Sequence, residues 1–406
     1  AALLILIGLR VPVAIAMGAV GIVGGVYLNG WFSLGFVLGS QPFVTSSSYS
    51  LSVIPLFVMM GAFASRAGLS ASLYQALNGL IGHWRGGLAS ATVGACALFG
   101  AVCGSSLATA ATMSRVAVPE MTSIGYDRRL TSGALAAGGT LGILIPPSII
   151  LVIYAILAEQ NIEKLFVAAL IPGILAALGY MLAIMVWVRV SPNSAAVKER
   201  VPWATRMRAL GSVWPVLAIF IAVVGGIYAG IFTPTEAAAV GAAGTGLVAM
   251  LSGQLDLPRL KQAILATASS TAMIFLIILG AGLYNSFLAL TQLPQMASVW
   301  VSEQGLSPWV VLTAVLIMYL LFGCIMDSLS MVLLTVPIIY PIMSVLDFGM
   351  SADDFGLWFG ILVLIVVEVG LITPPVGMNL FIINSMSRDI PIGQTSRGAL
   401  PFVLTA

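Results

Sequence analysis

Apolar residues run in long blocks along this chain, and short polar or Gly/Pro-rich breaks separate them. Blocks of spanning or near-spanning length are Val11 to Leu28, Leu51 to Ser65, Leu130 to Ala158, Leu165 to Val188, Ser212 to Phe232, Pro234 to Leu251, Ile264 to Leu290 and Gly356 to Ile383. Each predicts a membrane helix, because a helix pairs its own backbone groups where lipid offers no partner. Two further stretches, Ala67 to Gly82 and Thr291 to Gly305, mix Ser, Gln, Asn or Glu with Leu, Trp and Met. They predict helices lying along the membrane surface. The first nine residues and Gly398 to Ala406 read as spans cut by the ends of the chain.

Composition excludes a soluble fold. Of 406 residues, 60% are hydrophobic and 7% charged, so 16 Lys+Arg and 14 Asp+Glu could not cover the surface such a protein would turn to water. The net charge of +2 is too small to imply nucleic acid. Cys96, Cys103 and Cys324 lie inside apolar blocks, and with His83 the single histidine there is no transition-metal site or hydrolytic dyad to read. The 43 glycines and 20 prolines point to close packing and interrupted helices.

Cations set the orientation, because short cytoplasmic loops collect Lys and Arg. Let the first span run outward, let the two surface stretches not cross, and let Trp84 to Tyr126 and Ser307 to Leu346 each enter and leave on one side. Then Arg10, Arg66, Arg85, Arg128, Arg129, Arg189, Lys198, Arg200, Arg206, Arg208, Arg259, Lys261, Arg388 and Arg397 all fall in the cytoplasm. Lys164 alone lies outside, and Arg115 sits within the first re-entrant region.

A repeat follows. FGAVCGSSLATAATMSRVAVPEM, Phe99 to Met121, is answered by FGCIMDSLSMVLLTVPIIYPIM, Phe322 to Met343; GILIPP, Gly142 to Pro147, is answered by GLITPP, Gly370 to Pro375. Arg85, Arg128 and Arg129 flank the first copy, whereas Glu303, Asp347, Asp353 and Asp354 flank the second. The copies therefore enter from opposite faces, and the predicted fold is an all-α polytopic membrane protein with inverted-topology repeats, two re-entrant hairpins and broken helices.

Each hairpin turns back at a small, polar tip, Gly104 to Ser106 or Met326 to Leu329, whose backbone must face protein or a watery cavity. Pro146-Pro147 and Pro374-Pro375 free upstream carbonyls inside their spans. Such carbonyls and serine hydroxyls are hard oxygen ligands suited to sodium, and two helix N-termini bring positive dipole ends to mid-membrane for an anion beside it. For Ser105, Ser106, Thr109, Asp327, Ser328 and Ser330 the alternative is helix capping without a ligand. For the Pro-Pro pairs with Thr140, Gly142, Gly370 and Thr373 it is a packing kink. Ser148 and Asn379 add oxygens after the breaks or hydrogen-bond between helices. Arg115 is a counter-charge for an anionic substrate, a snorkelling side chain or a partner of Glu120; Glu368 belongs to the broken-helix site or pairs structurally. Glu236, in TPTE, is read as part of a helix cap with Thr233 or Thr235.

At these residues the sequence is familiar. The first copy with GYDRRLTSGALAAGGTLGILIPPSIILVIY, and the later TPTEAAAVGA and GLITPPVGMNLFI, closely resemble the large membrane subunit of TRAP (tripartite ATP-independent periplasmic) transporters, the DctM-like family, over nearly the whole chain. The resemblance implies a multi-pass subunit of the bacterial inner membrane that imports organic anions, usually carboxylates, with sodium as coupling ion and no cofactor. It also implies a small DctQ-like membrane subunit, a periplasmic DctP-like binding protein and elevator motion. Carried over by motif, sodium candidates are Ser105, Ser106, Thr140, Gly142, Ile145 and Pro146 in the first repeat and Asp327, Ser328, Gly370, Thr373 and Pro374 in the second. Substrate candidates are Gly104, Thr109, Arg115, Ser148, Ser330 and Asn379. The expected division is an N-terminal scaffold at 1–50, a first repeat at 51–158 with its hairpin at 85–126, connecting scaffold helices at 159–264, a second repeat at 265–385 with its hairpin at 307–346, and the start of a C-terminal helix at 386–406. A binding-protein-independent carboxylate symporter is the alternative reading. An intramembrane lipid-modifying enzyme is the remote one, for want of a nucleophile–base pair.

Overall fold

The computed structural model describes residues 2–387 and 390–406 and is helical throughout, with no strand among them; Arg388 lies outside the described residues. The chain opens with α1 (Ala2–Gly8) and α2 (Val13–Ser47). The first expected span stops at Leu28, but α2 continues past a kink at Gly30, whose φ of 76° breaks the helical run. Then come α3 (Val53–Arg66) and α4 (Leu69–Ile81), joined through Gly68 in the left-handed region. Hairpin 1 is α5 (Gly87–Cys103) and α6 (Ser106–Ser123); the first broken helix is α7 (Arg128–Leu144) and α8 (Ile149–Leu157); α9 (Ile162–Val190) follows. The connection holds α10 (Trp203–Gly211), α11 (Trp214–Phe220), a wider π-type turn at Ile221–Gly225, α12 (Gly226–Tyr228) and α13 (Pro234–Leu251). Its TPTE segment forms the reciprocal Thr233–Glu236 capping box that its spacing predicts.

The second half repeats the order of the first. Long α14 (Leu257–Thr291) leads through left-handed Gln292 into α15 (Leu293–Glu303), as α3 leads into α4. Hairpin 2 is α16 (Pro308–Gly323) and α17 (Ser328–Ser344); the second broken helix is α18 (Ala352–Gly370) and α19 (Met378–Met386); α20 (Ile392–Val403) stands where α9 stood.

Among the described residues, three helices are long and apolar enough to cross a bilayer unaided, and six spans result if each sharply bent pair counts as one. The eight apolar blocks are thus not eight rods. The block from Leu51 is the 14-residue α3, which at 1.5 Å per residue reaches about 21 Å. It continues the second half of α2 across a 59° bend. The block at Gly356 to Ile383 is split between α18 and α19.

Close backbone crossings hold each hairpin to its own broken helix, and the repeat motif supplies them. A side chain at Gly100 of α5 would run into the Cα of Gly142 on α7, and a β-carbon at Gly370 of α18 would lie 2.7 Å from the Cα of Gly323 on α16. These four glycines are those of the Phe-Gly and Gly-x-x-x-Pro-Pro signatures. Each break carries a cis peptide, Pro146–Pro147 and Pro374–Pro375.

Two groups of helices emerge from the packing. Helices α2, α3, α13 and α14 pack on one another, while α5 to α8 and α16 to α20 form the other group. Helix α9 packs chiefly on α5, α7 and α18, and also meets α12, where the Tyr228 hydroxyl donates to Phe166 O at 2.9 Å.

Helix α9 also shows which way each hairpin points. Beyond its C-terminal end, Ser194 accepts a hydrogen bond from the Asp127 backbone at 2.9 Å, and Lys198 meets Glu120 of α6 at 2.8 Å. At its N-terminal end, Lys164 lies 3.8 Å from Asp353, and Gln160 donates to Tyr340 of α17 at 3.1 Å. The open ends of the two hairpins therefore lie at opposite ends of one long apolar helix. The repeats are inverted, as the flanking charges predict.

Candidate functional site

Both hairpins end in an N-cap, because a helix that starts inside lipid must satisfy its first N–H groups locally. In hairpin 1, Gly104 takes the left-handed conformation (φ 65°) that ends α5, and the extended Ser105 accepts from Ala108 N at 3.4 Å to begin α6. In hairpin 2, the Asp327 carboxylate accepts from Ser330 N at 3.0 Å to begin α17. After the first break, the Ser148 hydroxyl accepts from Leu151 N at 3.3 Å to begin α8. Capping is therefore real at Ser105, Asp327 and Ser148, and each keeps further lone pairs.

The tips meet at a carboxylate. Glu368 of α18 is fully buried, and its two oxygens accept one serine from each hairpin: Ser106 donates to Oε2 and Ser328 donates to Oε1 at 2.7 Å. Both serines are themselves buried. Glu368 thus joins hydroxyls of both repeats. Tip 2 is also tied to the second break, where Gly377 N donates to Cys324 O at 3.0 Å.

Beside tip 1 lies a knot of oxygen and amide groups with few partners. Thr109 and Asn379 are fully buried, and neither the Thr109 hydroxyl nor either Asn379 side-chain atom has a hydrogen-bond partner. A β-carbon on Gly142 would lie 2.7 Å from Thr109 Oγ1 and 3.0 Å from Ser105 O; one on Gly139 would lie 3.2 Å from Asn379 Nδ2 and 3.4 Å from Ser106 O. Glycine thus leaves room for these groups to converge. Buried orphan polar atoms cost about 1–3 kcal/mol each, which a ligand held there would offset. The oxygens among these groups are hard donors of the kind that suit a hard cation.

Other predicted residues are spoken for. The Thr140 hydroxyl donates to Ala137 O at 2.6 Å and lies 3.3 Å from the Tyr180 hydroxyl; Thr373 donates to Val369 O at 2.6 Å. Ile145, Pro146 and Gly370 are buried at the breaks, while Pro374 is half-buried. Ser330 is buried in the first turn of α17. Arg115 is exposed on α6 and does not line the cavity described below. Nor does it pair with Glu120, which instead takes Asn78 at 2.7 Å and Lys198.

A cavity of about 400 Å³ opens between the tips and the neighbouring helices. Its floor is Gly104, Ser105, Ser106, Asp327, Ser328 and Leu329. Its other wall comes from α3 and α14, including Arg66, Thr267 and Ser270. Sequence reasoning did not reach this wall. Arg66 reads as one more cytoplasmic charge, and the hydroxyl run Thr267 to Thr271 is the only signal that could have marked α14.

With this geometry in view, the relatives can be named. A family model for the tripartite ATP-independent periplasmic transporter, DctM component, matches residues 1–406. The C4-dicarboxylate TRAP transporter large permease protein DctM of Pseudomonas aeruginosa is 40% identical over 370 residues, 90% of this chain and 84% of that protein. The isethionate TRAP transporter permease protein DctMQ of Oleidesulfovibrio alaskensis is 30% identical over 404 residues, 99% of this chain and 62% of that protein. A crystal structure of the Alcanivorax borkumensis YdaH transporter, described as having an unusual topology, matches with a TM-score of 0.68 over 97% of this chain and 94% of that one. At 14% identity, that likeness is one of fold.

Proposed function

Because the chain belongs to the DctM-component family of tripartite ATP-independent periplasmic transporters, and is thus a multi-pass transporter permease, we propose that it imports small organic anions, chiefly carboxylates, across a bacterial inner membrane with sodium as the coupling ion. The observation that carries this reading is the meeting of two oppositely inserted hairpin tips on Glu368, beside a cavity and the buried, unpartnered side chains of Thr109 and Asn379.

Sodium would be held at tip 1 by the Ser105 and Ser106 carbonyls, Thr109 and Asn379, and at tip 2 by groups around Asp327, Ser328 and the break before Gly377. A cation at each tip lowers the cost of bringing an anion to mid-membrane and adds to the positive ends of α6 and α17. The anion then lies on the free N–H groups at those helix starts. Loading order follows from electrostatics: sodium first, solute second.

Movement would carry the hairpins and broken helices as one body past α2, α3, α13 and α14, because the two groups pack mainly within themselves. A small membrane subunit and a periplasmic binding protein complete the assembly in this reading. The DctMQ relative, whose name joins two components and whose length this chain covers to 62%, supports the first of these.

Uptake of labelled carboxylate by cells or proteoliposomes containing the three components tests the proposal. Removing the sodium gradient should abolish uptake, and Thr109→Val and Ser328→Ala should each raise the sodium concentration needed for half-maximal rate by about tenfold, the scale of one lost ligand or tip contact. Undiminished uptake without a gradient would sink it.

A further inference from the structure

The wall facing the tips carries donors that the fold does not use. Arg66 ends α3, where a cation suits the helix C-terminus. Its Nη1 donates to Ala62 O at 3.2 Å, and among the described residues the rest of its guanidinium fork has no protein partner. Thr267 of α14 lines the same cavity, is 8% exposed, and its buried hydroxyl has no partner. Arg66 is the one cation among the residues that line the cavity.

The opposite side is differently equipped. The Ser106 and Ser328 hydroxyls are committed to Glu368, and Ala108 N and Ser330 N to the caps. What the tips retain for an anion is the remaining N–H groups of two helix starts. Asp327 borders the cavity at tip 2, which makes tip 1 the better seat for a first carboxylate and tip 2 a poor one for a second. At the far wall, by contrast, a guanidinium matches the two oxygens of a second carboxylate.

Building on the organic-anion reading above, we propose that Arg66, with Thr267, binds the second carboxylate of a dicarboxylate whose first carboxylate lies on the hairpin tips. Arg66 is then the residue that sets preference for dianions over monoanions of the same size. If the hairpin body moves past α3, the pair forms only in the conformation of this structure.

Succinate and its monoamide succinamate are the probes, with binding to the full chain in lipid nanodiscs measured in sodium chloride. The wild-type chain should bind succinate about tenfold more tightly than succinamate, the scale of one charge-assisted pair. Arg66→Gln should erase that preference by weakening succinate about tenfold while leaving succinamate within about twofold, which also shows that the variant is folded. Arg66→Lys keeps the charge but loses the fork, so its preference should fall about threefold. Thr267→Val should lower it in the same direction. A preference that is absent in the wild type, or unchanged in Arg66→Gln, overturns the assignment. Should Arg66→Gln fail to fold, an unchanged preference in both Arg66→Lys and Thr267→Val overturns it equally. No sodium-dependent binding of either probe by the wild type would instead defeat the organic-anion reading, and this inference with it.

Discussion

Glu368 is the residue on which the two halves of the chain converge, and its environment defines what a substitution does. A fully buried carboxylate with two hydroxyl donors is satisfied; removing it leaves Ser106 and Ser328 unpaired and opens a void. Glu368→Ala should therefore lower stability by about 3 kcal/mol, read as a fall in the unfolding temperature in detergent. Glu368→Gln, which retains one acceptor and the volume, should lower it less. Because both serines share one partner, Ser106→Ala and Ser328→Ala should be non-additive by about 1 kcal/mol or more in a double-mutant cycle. Additive effects would mean that the bridge contributes nothing to joining the tips.

For the helices, the decisive feature is how near a hairpin comes to its broken helix. At Gly370 the gain in helix propensity from alanine, about 1 kcal/mol, competes with overpacking against the Gly323 Cα at 2.7 Å. Overpacking of backbone against backbone costs about 1–3 kcal/mol and has no flexible side chain to absorb it, so destabilisation wins. Gly100→Ala and Gly370→Ala should both lower the unfolding temperature and slow uptake. Gly79→Ala, on α4 with open space where its β-carbon would go, should be neutral or slightly stabilising. If all three behave alike, the crossings are not what fixes the hairpins.

Across the whole molecule the inversion itself is open to measurement. Cys96, Cys103 and Cys324 are buried, so an introduced thiol can be labelled against a quiet background. Ser123 is exposed at the open end of hairpin 1 and Met350 just beyond that of hairpin 2. A membrane-impermeant maleimide should reach Ser123→Cys from the cytoplasmic side only and Met350→Cys from the other side only. Labelling of both from one compartment would refute the arrangement. The ion pair Lys164–Asp353 at one of these ends is a marker of position more than a source of stability, since exposed pairs contribute about 0–1 kcal/mol.

Much of the architecture was legible in the linear chain. Apolar blocks and scarce charge require a membrane protein; the doubled motifs and their unlike flanks give the inversion; Gly104, Ser105 and Asp327 mark both turns. These features are local, and a helix, a cap or a charge bias acts within a few residues. What only the tertiary structure decided is non-local. Gly100 faces Gly142, and Gly323 faces Gly370, across helices that pack on one another. Glu368 joins Ser106 and Ser328, residues far apart in sequence. Arg66 turned from one charge among many into the cation of the cavity wall, while Arg115 fell outside it. Sequence spacing states which groups a chain owns, but the cost of burying a polar group depends on which partners packing brings to it, and that is settled only when distant helices meet.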